Sequence, residues 1–218
     1  METGPVIDLG LMGGMFDPVH YGHLQAARNA LLTLGLDKVC LLPCGTPVHR
    51  DTLVAPAHHR LAMLDLALAD EALICVDDRE CRSAEPSYTI NSLRGIREEN
   101  PQCRLFYIMG QDAFNSLPGW REWRQILDLV HVVVVARPGY RVDFSADLAQ
   151  EFDRRSVASA SELKQDVSGR ILLARHELLD ISSSAIREKI ARRESVDELL
   201  PPAVTAYIQA NGLYSTEY

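Results

Sequence analysis

Cysteine is scarce and odd in number: Cys40, Cys44, Cys75, Cys81 and Cys103 are the only five, and none forms a C-x-x-C pair. Neither a disulfide framework nor a structural zinc site is expected from that pattern, and the thiols read as reduced. Positive charge is in deficit, 22 Lys+Arg against 30 Asp+Glu for a net charge of -8. A chain of that sign repels DNA, RNA and anionic membranes, so an anionic ligand must be held by local groups. No segment approaches the roughly 18 apolar residues needed to cross a bilayer. Residues 1–8 also lack a basic stretch leading into a long apolar one, so the expectation is a protein neither exported nor membrane-spanning, working in the cytoplasm. Internal repeats, low-complexity tracts and Gly/Ser linkers are missing too, and one domain over residues 1–218 is expected.

What is present suits a packed α/β protein. Of 218 residues, 47% are hydrophobic and 24% charged, enough to bury a core without staples. Short dense apolar runs alternate with amphipathic stretches, the pattern of a mostly parallel, doubly wound sheet covered by helices on both faces. Strands are predicted at Val6–Leu11, Lys38–Leu42, Leu73–Val76, Arg104–Met109, Val130–Ala136 and Arg170–Ala174. Between the first two, Leu24, Ala27, Leu31 and Leu34 recur at helical spacing before Gly35, a β-α-β unit with a glycine stop. Further helices are predicted at Pro56–Asp70, Thr89–Glu99, Trp120–Leu127, Ser183–Arg193 and Pro202–Asn211. In such folds ligands bind at the carboxyl ends of the strands.

The first of those ends reads Gly13-Gly14-Met15-Phe16-Asp17-Pro18-Val19-His20-Tyr21-Gly22-His23. Two glycines allow a tight turn and close approach of backbone to ligand, and the following helix offers N–H groups to a phosphate. The spacing matches neither the Walker A loop nor the G-x-G-x-x-G fingerprint. His20 and His23, three apart with Gly22 between, can face one phosphoryl group. Each also suits a bland role, His20 in the turn and His23 half-buried on the helix face. Asp17 reads either as a ligand or as a turn residue. A second phosphate-type segment, Ile181-Ser182-Ser183-Ser184-Ala185-Ile186-Arg187, again precedes a helix. Serine hydroxyls and N–H groups there can cradle phosphate oxygens while Arg187 adds a charged fork, although an N-cap serine cluster beside a solvated arginine reads the same way.

Together, G-G-x-F-D-P-x-H-x-G-H and I-S-S-x-x-I-R are the paired signatures of the nucleotidyltransferase superfamily, and the sequence resembles its bacterial nicotinate mononucleotide adenylyltransferase family. Pro86-Ser87-Tyr88-Thr89, Gly110-Gln111-Asp112 with Leu117-Pro118-Gly119-Trp120, and Arg137-Pro138-Gly139 look like that family's segments in its order, so the resemblance spans essentially the whole chain. Phosphopantetheine and cytidylyl transferases share H-x-G-H but not this middle region. Four positions depart from the family pattern: Met15 replaces Ser or Thr and is left a backbone role, Ser184 replaces Thr and keeps a hydroxyl, and Val48 with Arg50 alters Pro-Pro-His-Lys while retaining a cation.

The resemblance implies adenylyl transfer from ATP to nicotinate mononucleotide, giving deamido-NAD and pyrophosphate in NAD biosynthesis. It assigns catalysis to His20, His23 and Arg187. ATP falls to these three with Gly13, Gly14, Met15, Phe16, Gly110, Asp112, Ile181, Ser183 and Ser184, and the mononucleotide to Tyr88, Thr89, Trp120, Arg137, His49 and Arg50. Magnesium arrives with ATP and takes no protein ligand; no nucleic acid or membrane partner is implied, and a homo-oligomer is compatible. Trp120 offers a flat face to the pyridine ring, yet Trp120 and Trp123 also suit the core, and Asp112 suits a helix cap as well as a ribose hydroxyl. A metal-dependent phosphoesterase built on His20, His23, His58 or His59 lacks the accompanying carboxylates. A nucleotide sensor without turnover would show damage in one phosphate motif, and both are intact.

Overall fold

The computed structural model describes residues 6–47, 54–136, 144–175 and 179–215. Its strands are β1 (Asp8–Gly14), β2 (Lys38–Pro43), β3 (Ile74–Val76), β4 (Arg104–Gly110), β5 (His131–Ala136), β6 (Ser156–Val157) and β7 (Ile171–Arg175). They form one sheet in the order β3-β2-β1-β4-β5-β7-β6. Its registered pairs are all parallel: Asp8 opposes Arg104, Phe106 opposes His131, and Val132 opposes Ile171. The chain moves outward from β1 to β3, then returns to the other side of β1 with β4. That reversal is the switch point of a doubly wound sheet, and the two strands flanking it end on Gly14 and Gly110.

The helices are α1 (Tyr21–Leu34), α2 (Ala57–Ala67), α3 (Arg79–Arg82), α4 (Thr89–Glu99), α5 (Gln111–Ser116), α6 (Trp123–Leu129), α7 (Ala146–Arg155), α8 (Ala160–Leu163), α9 (Ser183–Ala191) and α10 (Pro202–Ala210), with a 3-10 turn at Leu117–Gly119. Gly35 ends α1 as the pattern predicts: it adopts a left-handed φ of 58°, and the Leu36 N–H reaches back to the Leu31 carbonyl at 3.0 Å. β1 lies later than expected, because Val6 and Ile7 are 50% and 51% exposed while Leu11 is buried. The helix expected from Trp120 starts instead at Trp123, and Trp120 caps the 3-10 turn. Four helices, α3, α5, α7 and α8, and the short strand β6 have no counterpart among the sequence-based assignments.

The fold divides into two compact units that the chain enters repeatedly: residues 1–13, 29–40 and 88–177, and residues 14–28, 41–87 and 178–218. In the first, β4 and β5 are almost wholly buried. Their base is held by Asp8, whose carboxylate accepts from Arg104 Nε at 2.6 Å and pairs with Lys164 Nζ at 2.7 Å. Burial opposes its charge, but the hydrogen bonds from these two cations win and keep its pKa below the ordinary value. In the second unit α2 packs on α10, and His59 Nδ1 lies 2.9 Å from the Tyr207 hydroxyl.

Candidate active site

The second unit gathers both phosphate-type motifs. Gly14 leads into a turn whose next residues are pinned one by one. A Cβ at Gly14 would press on the Phe16 ring at 2.9 Å, which is why glycine stands there. Phe16 is wholly buried with a left-handed φ of 49°, so only its backbone can meet a ligand. The Met15 carbonyl accepts from Arg60 Nη1 at 2.8 Å. Asp17, 3% exposed, spends its carboxylate on the Val54 N–H (2.8 Å), the Ala55 N–H (3.2 Å) and the Tyr214 hydroxyl (2.6 Å). These bonds reach residues distant in sequence, so the carboxylate ties the turn to other segments of the chain.

The histidines follow. Their rings stack with centroids 3.7 Å apart and planes 22° from parallel, and Phe16 meets His23 edge-on at 4.9 Å. The His23 N–H approaches His20 Nδ1 at 3.4 Å, so a neutral His20 carries its proton on Nε2. His23 Nδ1 is buried without a hydrogen-bond partner among the described residues. Burial pushes His20 down to about 4; burial first, and then the charge of its neighbour, hold His23 well below 6.5. Both imidazoles are therefore neutral at pH 7 before an anion arrives. The helix start gives fewer free donors than expected, because the Tyr21 N–H bonds the Leu199 carbonyl and the His23 N–H also reaches the His20 carbonyl at 2.9 Å.

Hydrogen bonds join α9 to this turn. Ser183 Oγ donates to the Pro18 carbonyl at 3.0 Å and Arg187 Nη1 to the Asp17 carbonyl at 2.7 Å, with Ser184 Oγ 3.5 Å from Arg187 Nη2. Ser182 is the N-cap, accepting from the Ala185 N–H. Ile181 lies against Gly22, where a Cβ would sit 3.6 Å from the Ile181 Cβ and 3.0 Å from the His20 ring. His20, His23, Ser183 and Arg187, far apart in sequence, thus form one cradle. Sequence reasoning missed Arg60, fully buried, and Tyr214. The adjacent His58-His59 pair drew attention instead, and no local signal marks a buried arginine that binds carbonyls.

The first unit holds the remaining candidates. A Cβ on Gly13 would run into the Tyr107 hydroxyl, whereas the same test at Gly110 meets open space. Asp112 is exposed in the first turn of α5, one residue inside the helix and so not its N-cap. Trp120 is half-buried and meets the Tyr107 ring edge-on at 6.5 Å, while Trp123 is 7% exposed and belongs to the core. Tyr88, the N-cap residue of α4, lies under the Arg121 guanidinium at 4.7 Å, with Thr89 following at the helix start. His49, Arg50 and Arg137 lie outside the described residues.

A parallel sheet with this switch point, whose first strand feeds a glycine turn and stacked histidines toward a serine-arginine helix start, defines a nucleotide-handling α/β protein of the nucleotidyltransferase class. The chain belongs to the cytidylyltransferase-like family, whose model matches residues 11–189, and within it to the nicotinate-nucleotide adenylyltransferases. A protein of Pseudoalteromonas atlantica named "Probable nicotinate-nucleotide adenylyltransferase" is 42% identical over 206 residues, 94% of each chain. A protein of Serratia proteamaculans with the same name is 42% identical over 207 residues, again 94% of each. Among solved structures, the Plasmodium falciparum nicotinic acid mononucleotide adenylyltransferase complexed with NaAD has the same fold, with a TM-score of 0.75 at 17% identity over 95% of this chain and 97% of that one.

Proposed function

We propose that the chain transfers the adenylyl group of ATP to nicotinate mononucleotide, releasing pyrophosphate and deamido-NAD. The observation that carries this is the cradle: two stacked, neutral imidazoles on a pinned glycine turn, hydrogen-bonded to the Ser183–Arg187 helix start. A phosphate oxygen of the mononucleotide attacks the α-phosphorus of ATP, and the bond from that phosphorus to the bridging oxygen of the β-phosphate breaks. The attacking oxygen is already anionic, so no general base is required, and the protein's work is to position reactants and neutralise charge.

In this reading the His20 and His23 Nε2 atoms donate to the phosphates. Because burial keeps the rings uncharged in the free protein, binding of the polyanion favours protonation of one of them, and charge enters the cradle together with its counter-ion. Arg187 supplies permanent charge from α9. Magnesium, where bound with ATP, would supply further neutralisation of the phosphate charge. Asp17, the acidic residue of the turn, has its carboxylate taken by three donors, so it is assigned no ligand role toward the ion. Trp120 is assigned the pyridine ring, Tyr88-Thr89 the ring carboxylate through helix-start N–H groups, and Asp112 a ribose hydroxyl.

The test is turnover with magnesium, ATP and either nicotinate or nicotinamide mononucleotide, followed by pyrophosphate release. A strong preference for the acid in kcat/KM is expected, because an amide nitrogen would face donors and leave buried polar groups unpaired. Equal kcat/KM for the two would refute the substrate assignment, and no turnover with either would refute adenylyl transfer.

A further inference from the structure

The Phe16 turn carries a cost that something must meet. A bulky aromatic at φ 49° is strained, and such a conformation persists only where surrounding bonds fix it. Those bonds form a closed ring around Phe16. Arg60 Nη1 holds the Met15 carbonyl at 2.8 Å and Arg60 Nε holds the Ala55 carbonyl at 3.2 Å. The Ala55 N–H in turn donates to Asp17 Oδ1 at 3.2 Å. The residues on either side of Phe16 are thereby tied together through Arg60 and Ala55. Asp17, Phe16 and Arg60 are 3%, 0% and 0% exposed, and the two bonds through Ala55 are buried.

The tail after α10 completes the ring. Gly212 at φ 60° turns the chain back, the Leu213 N–H bonds the Ile208 carbonyl at 3.0 Å, and Tyr214, itself at φ 62°, sets its hydroxyl 2.6 Å from Asp17 Oδ1. We infer that Tyr214 and Arg60 are positioning residues for the His20–His23 pair, acting through Asp17 and the strained Phe16 turn. The path is continuous: the ring fixes the Phe16 backbone, the Phe16 ring abuts His23 edge-on, and His23 stacks on His20. Burial and the neighbouring carboxylate raise the Tyr214 phenol far above its ordinary value, so the hydroxyl remains a donor throughout the working pH range. As a role in adenylyl transfer, this rests on the function proposed above; the positioning of the imidazoles is measurable without it.

The experiment compares wild type with Tyr214→Phe, which deletes only the hydroxyl, and with Arg60→Lys, which keeps the charge but cannot bridge both carbonyls. Steady-state kinetics, thermal midpoint and the His20 titration followed by nitrogen NMR are measured on each. In Tyr214→Phe the expected result is a kcat about tenfold lower, a scale set by sub-ångström misplacement, with KM for nicotinate mononucleotide within about twofold of wild type. The His20 midpoint should rise from about 4 toward 6.5 as the pair loosens. Arg60→Lys should move kcat and the midpoint in the same directions. Wild-type kcat with an unmoved midpoint in folded Tyr214→Phe overturns the inference, as does a kcat loss seen only with global unfolding in both variants. A wild-type protein without turnover would sink the proposed activity, and the His20 midpoints would still decide the positioning role.

Discussion

Gly22→Ala separates what the H-x-G-H segment contributes to folding from what it contributes to chemistry. Gly22 is the second residue of α1 and has an ordinary negative φ, so alanine fits the backbone. On propensity alone the change stabilises by up to about 1 kcal/mol, less in a first turn, or about 2 to 4 °C for a protein of this size. The side chain is where the cost appears. Its Cβ would stand 3.0 Å from His20 Cε1 and Nδ1, inside the ordinary contact range that begins at 3.4 Å, and 3.6 Å from the Ile181 Cβ. His20 is 4% exposed and already stacked on His23, so its ring can yield only by sliding along the partner ring. If His20 meets the transferring phosphate as proposed, a shift of several tenths of an ångström in its ring is expected to lower kcat by about 10- to 100-fold. Pyrophosphate release at saturating substrates and a thermal melt on the same samples give both numbers. Near-normal kcat in Gly22→Ala would refute the claim that close packing against His20 matters, and a melting point lowered by many degrees would refute the separation of stability from activity.

His23→Ala removes one preorganised donor and should cost about 100- to 1,000-fold in kcat; near-normal turnover at saturating ATP with an intact fold would make that histidine structural. Trp120→Ala should raise KM for the mononucleotide by about three- to tenfold, the scale of one aromatic stacking contact, and leave KM for ATP nearly unchanged; equal effects on both would remove the ring from that face. Stability should fall as pH is lowered from about 6.5 toward 4. His131 is buried, accepting the Arg170 N–H on Nδ1 at 3.3 Å with Nε2 3.1 Å from the Asp166 carbonyl, and burial pushes it down to about 4 although the Asp166 carbonyl pulls the other way. The unfolded chain takes up the proton first, so the neutral ring's contribution is complete above 6.5 and is lost through that window, roughly 3 kcal/mol at most. Urea melts between pH 7 and 4.5 measure this together with the like contributions of His20 and His23, and a flat profile would contradict the burial argument.

Local pattern in the sequence determined a good deal. The apolar runs of β4 and β5 and the spacing ending at Gly35 follow from side-chain periodicity and glycine's conformational freedom, which neighbouring residues alone express. H-x-G-H and I-S-S-x-x-I-R were legible as the two segments that carry the family resemblance, and hydrogen bonds join them in the fold. Helix α7 was not legible, although its Ser145 cap and amphipathic face are clear in the fold, because attention to apolar runs passes over a mostly polar segment. Trp120 and Trp123, three apart, look alike on a helical wheel, and only the 3-10 turn at Leu117–Gly119 puts one half in solvent and the other in the core. Tertiary structure alone decided the roles of Asp17, Arg60 and Tyr214. Their bonds join residues 37, 45 and 197 positions apart, and a hydrogen bond across such a separation leaves no periodic trace in the chain that makes it.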